Sequence, residues 1–219
     1  MVRSEVAEAV RHLERMEPRL ETSVGYGAAI WHHLGDFIQR SMLLQGRAAS
    51  WQLPRQRPIR DLSEVEMCVF SQWGEDGIIE WLVAHLPSVN TRFVEFGVES
   101  FAEANCRFLL MNRNWKGLVF DGSGANMQAL RSESLYWRYD ITATTAFITR
   151  ENINDLISQN GFAGEIGILS VDIDGNDYWV LEAIDVVTPA IVICEYNPIF
   201  GDTRAVTVPY RSDFTRFSG

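Results

Sequence analysis

Residues 93–100, FVEFGVES, join an apolar strand to a glycine turn, and this pattern decides the fold. A strand that runs into Gly97 is typical of the first strand of an open nucleotide-binding sheet, where glycine allows close backbone approach. A dinucleotide fold repeats glycine after this turn, whereas Val98, Glu99 and Ser100 stand here. The stretch therefore predicts a Rossmann-like sheet with an unusual ligand.

Strands and helices alternate around this turn. Helices are predicted at 71–86, 102–112, 124–133, 150–159 and from about 177, and strands at 92–98, 116–122, 135–142, 166–174 and 190–197. The second, fourth and fifth strands are nearly continuous apolar runs, which is typical of a parallel sheet covered on both faces by helices. Right-handed crossovers then favour an α/β fold with a doubly wound, mostly parallel sheet.

Helical patterns also precede the sheet. Apolar residues recur at helical spacing over 4–16 and 27–45, and residues 51–66, with two prolines, predict an irregular connection. We therefore predict an N-terminal helical extension at 1–60 and a Rossmann-like domain at 61–219.

Composition excludes several classes of function. Among 219 residues, 47% are hydrophobic, and the formal charge of −10 argues against nucleic acid as a partner. Three cysteines without C-x-x-C spacing indicate neither a disulfide framework nor a zinc site. No apolar stretch long enough to span a membrane and no signal peptide are recognisable, so the expected location is the cytoplasm.

Acidic residues lie at or near the end of every predicted strand. In a doubly wound sheet the ligand lies beyond the carboxyl ends of the strands, so these residues are the candidates for a site. They and their polar neighbours are Glu95, Gly97 and Glu99 at strand one, Asp121 and Ser123 at strand two, Asp140 at strand three, Asp172 and Asp174 at strand four, and Glu195 and Asn197 at strand five.

Asp121 is the candidate for binding a ribose. An acid at the end of the second strand can accept both ribose hydroxyl hydrogens, and Asp121 lies 24 positions after Gly97, near the usual separation of about 20. The alternative is that Asp121 serves only the turn or caps the next helix.

The glycine turn favours a cationic ligand. A pyrophosphate needs backbone N–H donors and is repelled by acids such as Glu95 and Glu99. A ligand with a ribose, a positive charge and no phosphate fits better, and S-adenosylmethionine is such a ligand. The alternative is that Glu95 is a buried acid paired with an arginine.

Asp172 and Asp174 indicate a metal ion or a raised pKa. Side chains two residues apart on a strand share a face, and two close carboxylates repel unless a cation or proton separates them. Glu195 and Asn197 repeat this spacing, and their oxygens suit Mg²⁺. The alternative is that Asp174 and Asp177 only cap the helix that follows and that the loop binds nothing.

Four blocks, FSQWGEDGII, FVEFGVES, GLVFDGS and LSVDIDGNDYWVLEAI with IVICEYN, resemble the FkbM-like class I S-adenosylmethionine-dependent methyltransferases over about residues 65–210. The resemblance implies O-methylation of a small-molecule or carbohydrate-like acceptor, with Asp172 or Asp174 as base. The implied contacts are Glu95, Gly97 and Glu99 with the methionine end, Asp121 and Ser123 with the ribose region, Asp140 with the adenine, Asp172 near the methyl group, and Asp174, Glu195 and Asn197 with Mg²⁺.

Two features depart from that family. The second glycine of the first motif is absent, and only 22 residues follow Asn197, so we expect the helix and strand pair that close such sheets to be missing. A homodimer would cover the sheet edge left in this way. A catalytically inactive binding or assembly module is therefore an alternative, whereas the acidic, glycine-poor turn disfavours a nicotinamide-dependent oxidoreductase.

Overall fold

The computed structural model describes residues 30, 33–53, 58–87, 89–201 and 203–215. The helix predicted at 4–16 lies outside the described residues. Residues 33–52 are helical (α1), so the helix predicted at 27–45 is confirmed where it is described and continues further. Gly46–Gly219 form one compact unit, to which the following description applies. The domain boundary near residue 60 stays a prediction.

Five parallel strands form the sheet, in the order β3-β2-β1-β4-β5. They are β1 Arg92–Phe96, β2 Lys116–Asp121, β3 Ile141–Thr145, β4 Gly164–Val171 and β5 Val187–Cys194. The helices of this unit are α2 Glu75–His85, α3 Arg107–Arg113, α4 Gly124–Ser132, α5 Ser134–Arg138, α6 Ile153–Gln159 and α7 Asp177–Ala183. The predicted doubly wound α/β fold is confirmed, and strand order reverses between β1 and β4.

The central strands form the core because they are apolar on both faces. Val94, Phe96, Leu118, Phe120 and Leu169 are at most 1% exposed and belong to one hydrophobic cluster. Full burial of a side chain of this size contributes about 1.5–3 kcal/mol relative to exposure.

No helix among the described residues has the length and apolar character needed to cross a membrane.

The third strand was predicted in the wrong place. Residues 135–138 belong to the short helix α5, and the strand begins only at Ile141. The aromatic residues of LYWRY favour a strand locally, yet Leu135 is buried while Trp137 is 74% exposed. Tertiary packing of Leu135 thus overrides the β propensity of this stretch.

The fifth strand differs from the prediction in its burial. Only Val187 is buried, and Val192 is 48% exposed, although an apolar run predicts cover on both faces. The reason is its position, since β5 is the last strand of the sheet and pairs with β4 alone among the described strands.

Candidate functional site

The point where strand order reverses brings the glycine turn against the loop after β4. Gly97 has a φ of +68°, and a Cβ there would lie 1.6 Å from the carbonyl oxygen of Asp172. Only glycine permits this approach. We call residues 172–177, between β4 and α7, the acidic loop. The turn after β1 and the acidic loop therefore meet backbone to backbone, at the carboxyl ends of the strands, where an open α/β sheet holds its ligand.

Glu95 is buried and holds the segment that follows the turn. Its carboxylate accepts hydrogen bonds from the backbone N–H of Asn105 at 2.8 Å and of Cys106 at 3.1 Å. The Ser170 hydroxyl donates to the same carboxylate at 3.4 Å. Burial raises the pKa of Glu95 from its usual 4.5 to about 7. Among the described residues its partners are thus backbone N–H groups, the Ser170 hydroxyl and the Cys106 side chain, not the arginine of the alternative interpretation.

Residues 97–106 form a constrained loop. Glu99 and Phe101, neither of them glycine, have positive φ values of 48° and 62°. Phe101 is fully buried and its carbonyl accepts a hydrogen bond from the buried guanidinium of Arg107. That guanidinium also lies 5.0 Å from the centroid of the Phe70 ring. Sequence reasoning missed Arg107, although a lone arginine within the apolar run CRFLLM was a signal.

Asp121 lies at the carboxyl end of β2, as predicted. Its carboxylate already accepts hydrogen bonds from the protein at most of its acceptor positions. Oδ2 accepts from the Glu99 N–H at 2.8 Å, and Oδ1 accepts from the Ser123 N–H at 2.7 Å and from Asn126 Nδ2 at 3.2 Å. A carboxylate offers about four acceptor positions, so about one remains for a ligand hydroxyl. Ser123 caps α4 by accepting from the Asn126 N–H at 3.3 Å.

Asp140 lies at the amino end of the sheet, so its predicted place after the third strand, on which the assignment to the adenine depends, is wrong. It precedes β3 instead of following it, because the strand begins at Ile141. Its carboxylate is 3.3 Å from Nζ of Lys116, the first residue of β2. At the carboxyl end of β3 the chain instead presents Phe147, which is 48% exposed and approaches Gly122.

Three exposed carboxylates converge beyond β4 and β5. Oxygen atoms of Asp172, Asp174 and Glu195 all lie within 4.8 Å of one another. Each of these residues also has an interaction partner in the protein. Both strands end before these acids, so the convergence is a property of loops and not of the strand period predicted above. Three carboxylates at this separation are a donor set that a hard cation such as Mg²⁺ could use.

Asn197 lies in the same loop after β5, where its side chain accepts a hydrogen bond from the Ile199 N–H at 3.1 Å. This bond caps the short 3₁₀ helix Pro198–Phe200. The structure therefore gives Asn197 a local role, and metal ligation by its side chain stays a prediction.

Asp177 fixes the acidic loop. Its carboxylate is 8% exposed and accepts from the N–H groups of Ile173 and Gly175, both at 2.7 Å. These bonds hold the backbone on either side of Asp174, which has a positive φ of 58°. These N–H groups belong to the loop and not to α7, whose N-cap residue is Asn176, so Asp177 stabilises the loop without capping the helix.

The FSQWGEDGII block acts on the protein's own backbone. Asp76 is 1% exposed, and one carboxylate oxygen accepts from the N–H groups of Val69, Phe70 and Ser71 at 2.8, 2.6 and 2.8 Å. Burial raises the pKa of Asp76, which these three bonds counteract. Asp76 therefore fixes the backbone of residues 69–71, which precede α2. Within this segment, the Phe70 ring packs on the guanidinium of Arg107.

Glu80 ties α2 to the end of α3. It is 1% exposed and accepts from Ser50 Oγ at 3.1 Å, from Asn112 Nδ2 at 2.9 Å and from Arg113 Nε at 2.9 Å. Removing one of these partners would leave the buried carboxylate incompletely paired, which costs about 3–5 kcal/mol.

Comparisons of the chain with protein-family models, with curated proteins and with solved structures gave no match. The likeness to FkbM-like methyltransferases stays a prediction that depends on the quoted sequence blocks alone.

Proposed function

We propose that the protein binds S-adenosylmethionine at the carboxyl edge of β1, β2 and β4 and transfers its methyl group to a hydroxyl oxygen. The observation that carries the proposal is the cluster of exposed carboxylates Asp172, Asp174 and Glu195, since the loop that contains the first two touches the Gly97 turn through Asp172. A negatively charged rim attracts a sulfonium and an ammonium group and repels a phosphate.

The hydrogen bonds of the glycine turn also favour a cation over a pyrophosphate. The N–H groups of Glu99, Asn105 and Cys106 already donate to the carboxylates of Asp121 and Glu95. A phosphate at a turn of this kind is held mainly by free backbone N–H groups. Backbone N–H groups that are already bonded in this way disfavour a nicotinamide dinucleotide as the cofactor.

The acids have two roles in this proposal. Asp121 keeps about one acceptor position for a ribose hydroxyl, and Asp172 or Asp174 accepts the proton that the acceptor hydroxyl loses. Bound S-adenosylmethionine would supply a methyl group activated by the positive charge on sulfur. The acceptor class, a small molecule or a glycan, is what the resemblance to FkbM-like methyltransferases implies, and transfer to it needs mainly positioning of the hydroxyl.

Mg²⁺ is a further component of the proposal. Asp174 and Glu195 would hold it, with Asp172 or Asn197 as additional oxygen ligands. At this site it would lower the pKa of the acceptor hydroxyl.

Titration calorimetry with S-adenosylmethionine tests the first proposal. We expect micromolar binding by the wild type, and at least about a tenfold loss of affinity in Asp121→Ala, because a hydrogen bond to a charged group contributes about 1.5–3 kcal/mol. The matched control is Asp140→Ala, which removes an exposed acid at the opposite edge and should bind as the wild type does.

A wild-type protein that binds no S-adenosylmethionine would refute the transferase and favour the inactive binding module. The burial of Glu95 and the internal bonds of Asp121 are the observations that favour that second candidate. An Asp121→Ala variant with unchanged affinity and an unchanged melting temperature would remove the ribose assignment alone.

Binding of Mn²⁺, followed by electron paramagnetic resonance, tests the cation site separately. We expect Asp174→Asn and Glu195→Gln each to weaken Mn²⁺ binding at least about tenfold, because each removes a charged ligand. Asp185→Asn is the control, since this exposed acid precedes β5 and is not part of the cluster. Equal affinities in all three variants would contradict the site.

A further inference from the structure

Residues 203–215 lack regular secondary structure but pack on the protein in an alternating way. Val208, Tyr210 and Phe214 are half-buried, whereas the residues between them are exposed. The alternation indicates that one side of the segment faces the protein. We call residues 208–214 the strap.

Helix α7 and the residue before it bind the strap through its backbone. Trp179 Nε1 donates to the carbonyl of Val208 at 2.8 Å, and Asn176 Nδ2 donates to the carbonyl of Arg211 at 2.8 Å. The rings of Trp179 and Tyr210 also meet edge to face at 6.3 Å. Trp179 and Asn176 thus hold the backbone of the strap at two points, Val208 and Arg211.

The segment before α6 binds the strap through Tyr210. The Tyr210 hydroxyl donates to the carboxylate of Glu151, and the guanidinium of Arg150 lies 4.2 Å from the centroid of the Tyr210 ring. The hydrogen bond lowers the pKa of Glu151 to about 2. The strap therefore connects the start of α6 with the start of α7.

Phe214 packs on the acidic loop itself. A Cβ at Gly175 would lie 2.3 Å from Cε1 and 2.9 Å from Cζ of the Phe214 ring. Gly175 follows Asp174 directly, and its N–H is one of the two that Asp177 accepts. The ring thus occupies the space beside the backbone that carries Asp172 and Asp174.

We propose that the strap is a conformational device that holds the Asp172–Asp177 loop in place and thereby controls how well the acids after β4 bind a ligand. The part of this inference that concerns binding rests on the proposed function. The part that concerns the loop does not, because it follows from Phe214, Asn176 and Trp179 alone.

Hydrogen exchange of the wild-type chain and a Phe214→Ala variant tests the effect on the loop. The Ile173 and Gly175 amides, both bonded to Asp177, are expected to exchange about tenfold faster in the variant, because local opening becomes easier when packing is lost. Val206→Ala is the control, since Val206 lies in the same segment and is 50% exposed. Unchanged exchange in Phe214→Ala would overturn the inference.

A double-mutant cycle gives a second measurement of the same contact. Gly175→Ala should destabilise the wild type more than it destabilises Phe214→Ala, because the added methyl group meets the ring only when the ring is present. The positive φ of Gly175, +142°, costs the same in both backgrounds and cancels. Equal costs would show that the ring does not pack on the loop.

Affinity for S-adenosylmethionine tests the control of binding. We expect about a three- to tenfold weaker affinity in Phe214→Ala and no change in Val206→Ala. Faster loop exchange with unchanged affinity would overturn the control of binding and leave the holding of the loop supported. If the wild type binds no S-adenosylmethionine, the proposed function fails and with it the control of binding, while the exchange result still decides whether the strap holds the loop.

Discussion

Replacement of Gly97 by alanine is expected to destabilise the protein by about 2–5 kcal/mol. The added Cβ would lie 1.6 Å from the Asp172 carbonyl oxygen and 2.8 Å from its carbon, which are backbone atoms that no rotamer change can move. Overpacking costs about 1–3 kcal/mol, and the left-handed conformation at φ +68° costs an alanine about 1–2 kcal/mol more. Urea unfolding followed by tryptophan fluorescence measures the loss.

Gly161→Ala separates the two causes. Gly161 has a similar φ of +73°, but a Cβ there has no neighbour within 4 Å. We expect this control to cost only about 1–2 kcal/mol, from backbone strain alone. Equal losses of stability at the two glycines would contradict the close contact between the Gly97 turn and the backbone of Asp172.

Stability is expected to fall as pH rises from about 4.5 to about 7, because of Glu95. Burial raises the pKa of this carboxyl from 4.5 to about 7. In that range the folded protein keeps a proton that the unfolded chain has released, so protons favour the folded state, and above about pH 7 the contribution is constant. The difference between the two pKa values corresponds to a loss of about 3 kcal/mol.

Glu95→Gln removes this titration. Its free energy of unfolding, relative to the wild type, should therefore increase by about 3 kcal/mol between pH 4.5 and pH 8. Val119→Ala serves as the control, since Val119 is paired with Glu95 in the neighbouring strand, is fully buried and carries no charge. It should lower stability equally at each pH. Parallel pH profiles for wild type and Glu95→Gln would show that Glu95 does not titrate in this range.

The sheet could be predicted from the sequence because its strands are apolar over most of their length. Four of the five strands were placed correctly to within a few residues. The exception, β3, has the small residues Thr142, Ala143 and Thr144, and the aromatic stretch before it carries the stronger local signal. The sequence therefore predicted Asp140 at the carboxyl end of the sheet, whereas it lies at the amino end, because it precedes β3 and does not follow it.

The candidate site was predicted less completely than the sheet. The sequence places Glu95 and Asp121 at strand ends, but it does not show that their oxygens are bonded to the N–H groups of Asn105 and Glu99. Those partners lie 10 and 22 positions away in sequence. Which carboxylates serve the backbone and which face solvent depends on the path of the loops, for which local patterns contain little information.

The sequence by itself determined the doubly wound α/β architecture and the acidic character of its carboxyl edge, because strand burial and the alternation of elements are local patterns. Only the tertiary structure decided that Asp172, Asp174 and Glu195 converge, that Asp140 lies elsewhere, and that residues 208–214 pack on the acidic loop. The physical reason is that these relations join loops far apart in the chain, and their geometry follows from how the whole core packs.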